Sequence, residues 1–449
     1  MLHRARIGVI AVATVLITVS CTAAPGPSKA DSSTTAATTT TAPPTSSTAP
    51  QPILVIGPAG IGADLGAIEH AIGLHAVRTG TSIEYIAVDD PNREFGRRSA
   101  QDLPGDVFLI DSGAILRQAA IDRTAVVIPR AVDTAISDTW GVTWTLPARL
   151  GDALYGAPID SSIESLVWFQ PAAFDGGRYD VPETWNQLVN LAEEMIDDDR
   201  VPFCGFDDDA ERTRSFVDWT FELIVRSHDV SVYDQILAEE LSYTDWKIFG
   251  DLTKMRDLWA TKDVGFGIPE EEQNVGEDEP EVLQGAVGLL DRSCHLVHGG
   301  VEVAQSFPEG TRFADGTPDA IDVALFPGPR GNVPVIADVT YAVSRVDQAE
   351  VWSLIQYLGS AEFADDRRGA QGDSDVPDFQ SAASGQDLFR LSLLELSLLD
   401  VMSRATESRE HWSELAPPAV RIVLLERGEA VSNGNSGIVD ALETIDAAF

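Results

Sequence analysis

From Ile53 onward, short apolar runs rich in β-branched residues alternate with stretches of helical period, and this alternation limits the chain to an α/β fold. Ile53, Leu54, Val55 and Ile56 read as a buried strand ended by Gly57-Pro58. Residues 83–88 and 107–110 read as the next strands, and 154–158 lead into the apolar strand-type segment 163–169. Then the period changes. Thr184 caps a helix and Gln187, three residues on, completes a capping box. Within that helix Trp185, Leu188, Val189, Ala192 and Met195 fall on one buried stripe, which runs out at Asp197-Asp198-Asp199. Residues 216–226, 246–259 and 351–358 also carry the helical pattern, the last after Asp347 with Glu350 in the capping-box place. Strands are expected at 323–326 and 333–336, around the turn Gly328-Pro329-Arg330-Gly331. Stretches 265–280 and 372–384 read as loops, and the remainder as helices ending at Phe449.

The first 50 residues are of another kind. Arg4 and Arg6 precede an apolar run from Ile7 to Val19, too short to span a bilayer, with Ser20 and Cys21 where a small residue and a cleavage point belong. Residues 22–50 are Thr, Ser, Ala and Pro with only Lys29 and Asp31 charged, so they bury too little apolar area to offset their ordering entropy. Signal segment 1–20, Cys21 and tether together read as a lipoprotein leader, with Cys21 as the lipidated residue and the body held outside the cytoplasmic membrane. Thr18 departs from the Leu or Val common three residues before such a cysteine. The alternative is a cleaved and fully soluble secreted form. As a coil the tether spans roughly 30 Å, and nearly 100 Å when stretched.

About 400 residues remain, more than the roughly 250–300 at which one core stops growing, so two lobes are expected. The 71 acidic residues against 31 basic give a formal charge of −40, which makes nucleic acid and anionic lipid poor partners. Two cysteines besides Cys21, Cys204 and Cys294, lie in a compartment that permits disulfides. They either pair or stay as buried thiols.

Chemistry-bearing motifs are few. Gly57, Gly60 and Gly62 follow a strand, but the spacing is not that of a dinucleotide fingerprint and no Gly-Lys-Ser/Thr follows, so a tight turn is expected. His295 and His298 could share a helical face as metal ligands, but a third and fourth ligand are missing, and ordinary packing or surface histidines are expected. No metal and no cofactor is therefore implied. Carboxylates are abundant, yet no motif singles out a glycosidase pair, and no G-x-S-x-G elbow is present. Asp207, Asp208 and Asp209 read as a solvated charge run.

One stretch is more specific. Leu154-Tyr155-Gly156-Ala157-Pro158 is followed by Ser161-Ser162-Ile163-Glu164-Ser165-Leu166-Val167-Trp168-Phe169, then Pro171-Ala172-Ala173-Phe174, and Tyr179-Asp180-Val181-Pro182-Glu183-Thr184-Trp185-Asn186-Gln187-Leu188. This resembles the family 1 extracellular solute-binding proteins of ABC importers, over about residues 53–449. Within that family it is most similar to the alpha-glucoside-binding lipoproteins. Their "TPWC" element corresponds to Val201-Pro202-Phe203-Cys204, their "TDW" to Val217-Asp218-Trp219, and their "FFPEG" to Ser306-Phe307-Pro308-Glu309-Gly310. The resemblance implies a Cys204–Cys294 disulfide. Val335-Ile336-Ala337-Asp338 stands where these relatives carry a Gly-rich strand ending in Asp. There are also departures. Their "GPWTG" is Gly57-Pro58-Ala59-Gly60-Ile61 here, the Trp before their "TDW" element is Arg214, and "HRQ" is replaced by Val297-His298-Gly299. Aromatic faces hold sugar rings in such clefts, so a different or smaller ligand, or weaker sugar binding, is implied.

What the resemblance implies is a two-lobe α/β fold of the periplasmic-binding type, with three crossings near Leu166, Pro334 and Asp378. Residues 51–166 and 334–378 form one lobe; 167–333 and 379–449 form the other. No bond chemistry is implied, so the chain is not an enzyme. A monomer captures a small solute, a carbohydrate such as an alpha-glucoside or oligosaccharide, by lobe closure and presents it to ABC transporter permease subunits. The cleft residues expected at strand ends are Gly57, Ala59, Asp90, Asp111 and Ser112, with Ser161, Ser162 and Glu164 approaching the first crossing. Asp218 and Trp219 come from the second lobe and Asp338 from the second crossing, whereas Trp168 and Trp185 pack in the core. A degenerate binding protein serving as a sensor or assembly lipoprotein is the alternative, motivated by the changed aromatics. A surface glycoside hydrolase is the third reading.

Overall fold

Three apolar runs become parallel strands: β1 (Ile53–Pro58), β2 (Ile83–Val88) and β3 (Val107–Ile110) lie in the order β2-β1-β3. The computed structural model describes residues 51–59, 63–174, 179–204, 209–228, 230–260, 284–328, 333–371, 376–377 and 379–448. Gly57 and Pro58 do not stop β1, because their backbone stays in register opposite Ala87 and Val88. After the short hairpin β4 (Arg149–Leu150) and β5 (Ala153–Leu154) comes β6 (Gly156–Ile163). A second sheet holds β7 (Leu166–Phe169) between β8 (Leu296–His298) and β9 (Asp322–Leu325). Finally β10 (Pro334–Ser344) returns antiparallel to β3 and β6, and β11 (Glu407–Arg409) pairs parallel with its first three residues.

Two cores result. The first gathers Val55, Ile56, Phe108, Leu109, Ile136, Trp140, Tyr341 and Leu354 around the larger sheet. The second gathers Leu188, Met195, Phe216, Trp219, Tyr233, Trp259, Phe326 and Trp412 around the smaller one. Each fully buried Leu, Ile or Phe contributes roughly 1.5–3 kcal/mol over its exposed form, and the first cluster runs on past the larger sheet to Leu166, Trp168, Phe313 and Ile321 at the smaller one. The fold is thus two α/β lobes.

The expected segment 163–169 is divided: Ile163 ends a strand of the first sheet, and Leu166 begins one of the second. At the Trp185–Asp197 helix both halves of the Thr184/Gln187 capping box form. Its buried stripe is Leu188, Leu191, Ala192 and Met195, while Trp185 and Val189 are only half-buried. The Ala349–Leu358 helix lacks the expected side-chain cap, because the Asp347 carboxylate accepts from the Trp352 indole N–H at 2.7 Å instead. His295 and His298 sit at and beside β8, not on a helix. Asp209 opens the long Asp209–Ser227 helix, whereas Asp207, Asp208, Gly60, Gly62, the 265–280 loop and the Pro329–Gly331 turn residues lie outside the described residues. The predicted all-helical end contains one strand, β11, which the tripeptide Glu-Ser-Arg gave no pattern for.

Cys204 and Cys294 form a disulfide across 90 positions. It sits beside the Phe203–Leu296 bridge, where Cys204 N–H donates to Leu296 C=O at 2.9 Å, and Gly288 packs so close that a Cβ there would collide with Cys294 Sγ. Among the described residues no helix is long and apolar enough to cross a membrane, and no group of three or more His, Cys, Asp or Glu side chains could hold a metal ion. Cys21 lies outside the described residues.

Candidate functional site

Open α/β sheets bind ligands beyond the carboxyl ends of their strands, and here those ends face the strands that leave for the second lobe. Tyr341 of β10 lies opposite Ile110 at the end of β3, so residues 334–338 project past the parallel strands. β6 runs out the same way, with Ile163 opposite Ala337 and Ser162 opposite Asp338.

Three chain passages lie side by side at this edge. Glu164 N–H donates to Ile336 C=O at 3.0 Å, and the Ser165 hydroxyl accepts from Ile336 N–H at 2.8 Å. Phe326 N–H donates to Ser165 C=O at 3.0 Å, and the Arg226 guanidinium donates to Pro334 C=O at 3.0 Å. β11 covers the start of β10, with Glu407 opposite Pro334. Then Glu410 joins the lobes directly: its carboxylate accepts from Gly113 N–H in the first, and its carbonyl accepts from the Tyr233 hydroxyl at 2.5 Å in the second.

The residues expected at strand ends divide into several kinds. Gly57 is buried under the Tyr85 ring, whose hydroxyl donates to Pro58 C=O at 2.9 Å; a Cβ at 57 would also lie 2.9 Å from Leu109 Cδ1. Ala59 is half-exposed and donates its N–H to Val88 C=O at 2.8 Å. Asp90 caps the Pro91–Gln101 helix, its carboxylate accepting from Arg93 N–H at 2.8 Å. Asp111 is exposed and accepts from the Asn92 amide. Ser112 caps the Gly113–Ile121 helix through Ile115 N–H at 3.3 Å.

Around the passages, Ser161 is fully buried: its hydroxyl accepts from Ala382 N–H at 3.1 Å and its N–H donates to Gln380 C=O at 2.9 Å. Ser162 is half-exposed and donates to Glu164 at 2.9 Å. Burial, with Glu302 and Asp338 nearby, pushes the Glu164 carboxyl well above the usual carboxylate range. Asp338 is half-exposed beside it on β10. In the second lobe Asp218 is half-buried, 3.8 Å from the His411 ring. Trp219 is enclosed, 3% exposed, with ring centroids of His298 at 4.4 Å, Trp259 at 4.9 Å and Phe203 at 5.7 Å. Trp168 is fully buried, its indole N–H shared by Gly299 and Gly300 carbonyls at 3.0 and 3.1 Å.

Four groups escaped the sequence reading. Glu302 is exposed at the start of the Glu302–Gln305 turn of helix and accepts from Gly300 N–H at 2.8 Å. Glu222, 1% exposed, meets the His298 ring at 2.6 Å. Glu410 is 7% exposed; burial, with Asp338 and Asp111 nearby, pushes its carboxyl up to about 8 against the pull of Gly113 N–H and Arg117. Tyr341 is fully buried on β10. No motif marks these four, because long-range pairing of strands brings them together. A usable signal was Gly300: a Cβ there would collide with both Glu164 and Glu302, so only glycine lets the two acids converge.

Two α/β lobes hinged by adjacent strands, with polar groups gathered at the junction, define a solute-binding protein. The profile of the bacterial extracellular solute-binding proteins matches residues 78–365, and the chain belongs to that family. It is similar to the osmoprotective compounds-binding protein GgtB of Synechocystis sp. (strain ATCC 27184 / PCC 6803 / Kazusa), at 23% identity over 309 residues, 67% of this chain and 70% of that one. It is also similar to the alpha-glucosides-binding periplasmic protein AglE of Rhizobium meliloti (strain 1021), at 24% identity over 247 residues, 52% of each chain. Among solved structures it resembles the bacterial solute receptor AcbH, described as preferring b-D-galactopyranose, with a TM-score of 0.65 and 15% identity over 88% of this chain and 97% of that one. These relatives are binding proteins.

Proposed function

We propose that this protein is the extracytoplasmic, lipid-anchored binding protein of an ABC carbohydrate importer, capturing a small saccharide by lobe closure and handing it to a membrane permease. The observation that supports the reading is the junction itself: Ser162 lies opposite Asp338 and is bonded to Glu164, with Glu410 close to Asp338. A solute touching both lobes binds the closed arrangement better than the open one and shifts the population toward it. Permease recognition of the closed form makes that shift the signal.

The crossings are taken at Glu164-Ser165, near Pro334, and at Glu410. Residue 378 lies outside the described residues, and the last placement rests on the contacts of Glu410 with Gly113 and with Tyr233. The cleft set is Ala59, Asp111, Ser112, Ser162, Glu164 and Asp338, with Asp218 across from them. Gly57, Asp90, Ser161 and Trp219 support it from below, as cap, anchor and packing. Cys21 carries the lipid and residues 22–50 the tether. The alpha-glucosides-binding relative supports a glucoside-type ligand.

A thermal-shift screen of maltose, trehalose, sucrose, galactose and their oligomers tests this. At least one saccharide is expected to raise the melting temperature in a saturable manner; a screen silent throughout would favour the sensor reading instead.

A further inference from the structure

Each inter-lobe passage carries one acid at the junction: Glu164 on the first, Asp338 on the second, Glu410 on the third. Glu302 meets Glu164 over the bare Cα of Gly300. Behind them Glu222 is 1% exposed and gives one oxygen to His298, while its Oε1 has no hydrogen-bond partner among the described residues. The hydroxyl of Tyr341, fully buried and within the field of Glu410 and Asp338, has none among them either. Several cations among the described residues stand close by. Arg226 stands near Glu222 and is held by Pro334 C=O, and Arg117 faces Glu410. Arg409 is taken by Asp234, and His411 lies 3.8 Å from Asp218. Asp111 adds a further negative charge beside Glu410.

We propose that this acid-lined junction makes the cleft charge-selective: it binds a solute whose enclosed face offers hydrogen-bond donors, holds an ammonium-bearing solute most tightly, and refuses one that carries a carboxylate. The inference rests on the solute-binding reading above and narrows its ligand class. Carboxylates only accept when ionised, and a neutral carboxyl adds one donor, so ligand hydroxyl and ammonium protons match them. An anion entering the same gap loses hydration and meets like charge in a cleft that focuses the field. A cation lets the neighbouring acids ionise together.

Burial pushes the Glu164 and Glu410 carboxyls upward, each reinforced by neighbouring carboxylates: Glu302, Asp338 and Glu222 around Glu164, and Asp338 and Asp111 around Glu410. For Glu410, pushed up to about 8, the native state binds more protons than the unfolded chain between the ordinary carboxylate range and about pH 8. Stability from this source is complete at low pH and is lost as pH rises through that window, by up to about tenfold in the unfolding equilibrium per pH unit.

The test compares glucose, glucosamine and glucuronate as matched probes, by calorimetric titration and thermal shift on the full chain at pH 7 and low salt. Glucosamine is expected to bind at least tenfold more tightly than glucose, and glucuronate at least tenfold more weakly. Asp338→Asn and Glu164→Gln should narrow both gaps. Glucuronate binding as well as glucose would overturn the proposal, as would gaps untouched by both variants. If all three monosaccharides are silent, the same comparison is made on the amine and carboxylate derivatives of a saccharide returned by the screen above, and equal affinities there would overturn the proposal; a ligand-free arm adds a second readout. Wild type should lose stability through Glu410 as pH rises toward about 8, and Glu410→Gln should flatten that slope. Parallel slopes in the two proteins would overturn the buried place of Glu410 in the acid-lined junction.

Discussion

Removing the Cys204–Cys294 link, by the double substitution Cys204→Ala and Cys294→Ala, tests how the second lobe is held. The bond closes 90 positions of chain, and the loop-entropy relation assigns such a loop about 4.6 kcal/mol of stability at 25 °C. That is over three powers of ten in the unfolding equilibrium. For a cooperative unit of about 200 residues, at roughly 2–4 °C per kcal/mol, the midpoint should fall by about 9–18 °C. Both cysteines are 6–7% exposed and small, so lost packing adds little to this. The loss should be local: β8 follows Cys294 directly and carries His298, so the second lobe should unfold first and separate from the first in calorimetry. Guanidinium unfolding of wild type and double variant, followed by tryptophan fluorescence, reads the difference. A loss below 1 kcal/mol, with both lobes still melting together, would refute the argument that this loop restrains the second lobe.

Other outcomes follow from single side chains. Ala59→Trp restores a ring at the end of β1, where position 59 is half-exposed; stacking of about 0.5–1.5 kcal/mol should tighten maltose binding roughly two- to tenfold in calorimetric titration. No gain would show that position 59 does not face the sugar. Ser161→Ala orphans the half-buried Ala382 N–H and should cost about 1 kcal/mol in denaturant titration while leaving ligand affinity unchanged. A large affinity loss without a stability loss would place Ser161 in the cleft instead. Gly300→Ala should weaken binding and lower stability together, because its Cβ would collide with Glu164 and Glu302; wild-type behaviour would show that the two acids separate at no cost.

Two strands of the parallel sheet were legible because Ile53–Ile56 and Val107–Ile110 are short apolar runs whose composition suits burial on both faces, and the edge strand Ile83–Val88 because its Ile, Tyr and Val outnumber the exposed Glu84 and Ala87. The Thr184 cap was legible because its partner Gln187 is three residues away. Asp347 has the same local look, but a tryptophan five residues on takes its carboxylate, and no local rule ranks that contact above the cap. The site was half legible. Asp111 and Ser112 follow the end of β3, which its apolar run locates, whereas Asp338 lies within β10. Glu410 could not be found that way, since its partner Gly113 lies 297 residues earlier and β11 exists only by pairing with β10. Trp219 read as a ligand platform because of its motif, yet the fold surrounds it with Phe203, Trp259, His298 and Phe326.

Small-angle scattering of the body with and without a saccharide shown to bind by calorimetry measures the central claim most directly. Closure around the junction of Glu164, Asp338 and Glu410 predicts a smaller radius of gyration at saturation, returning to the free value when the sugar is dialysed away. Full occupancy by calorimetry with a scattering curve that superimposes on the free protein would contradict it.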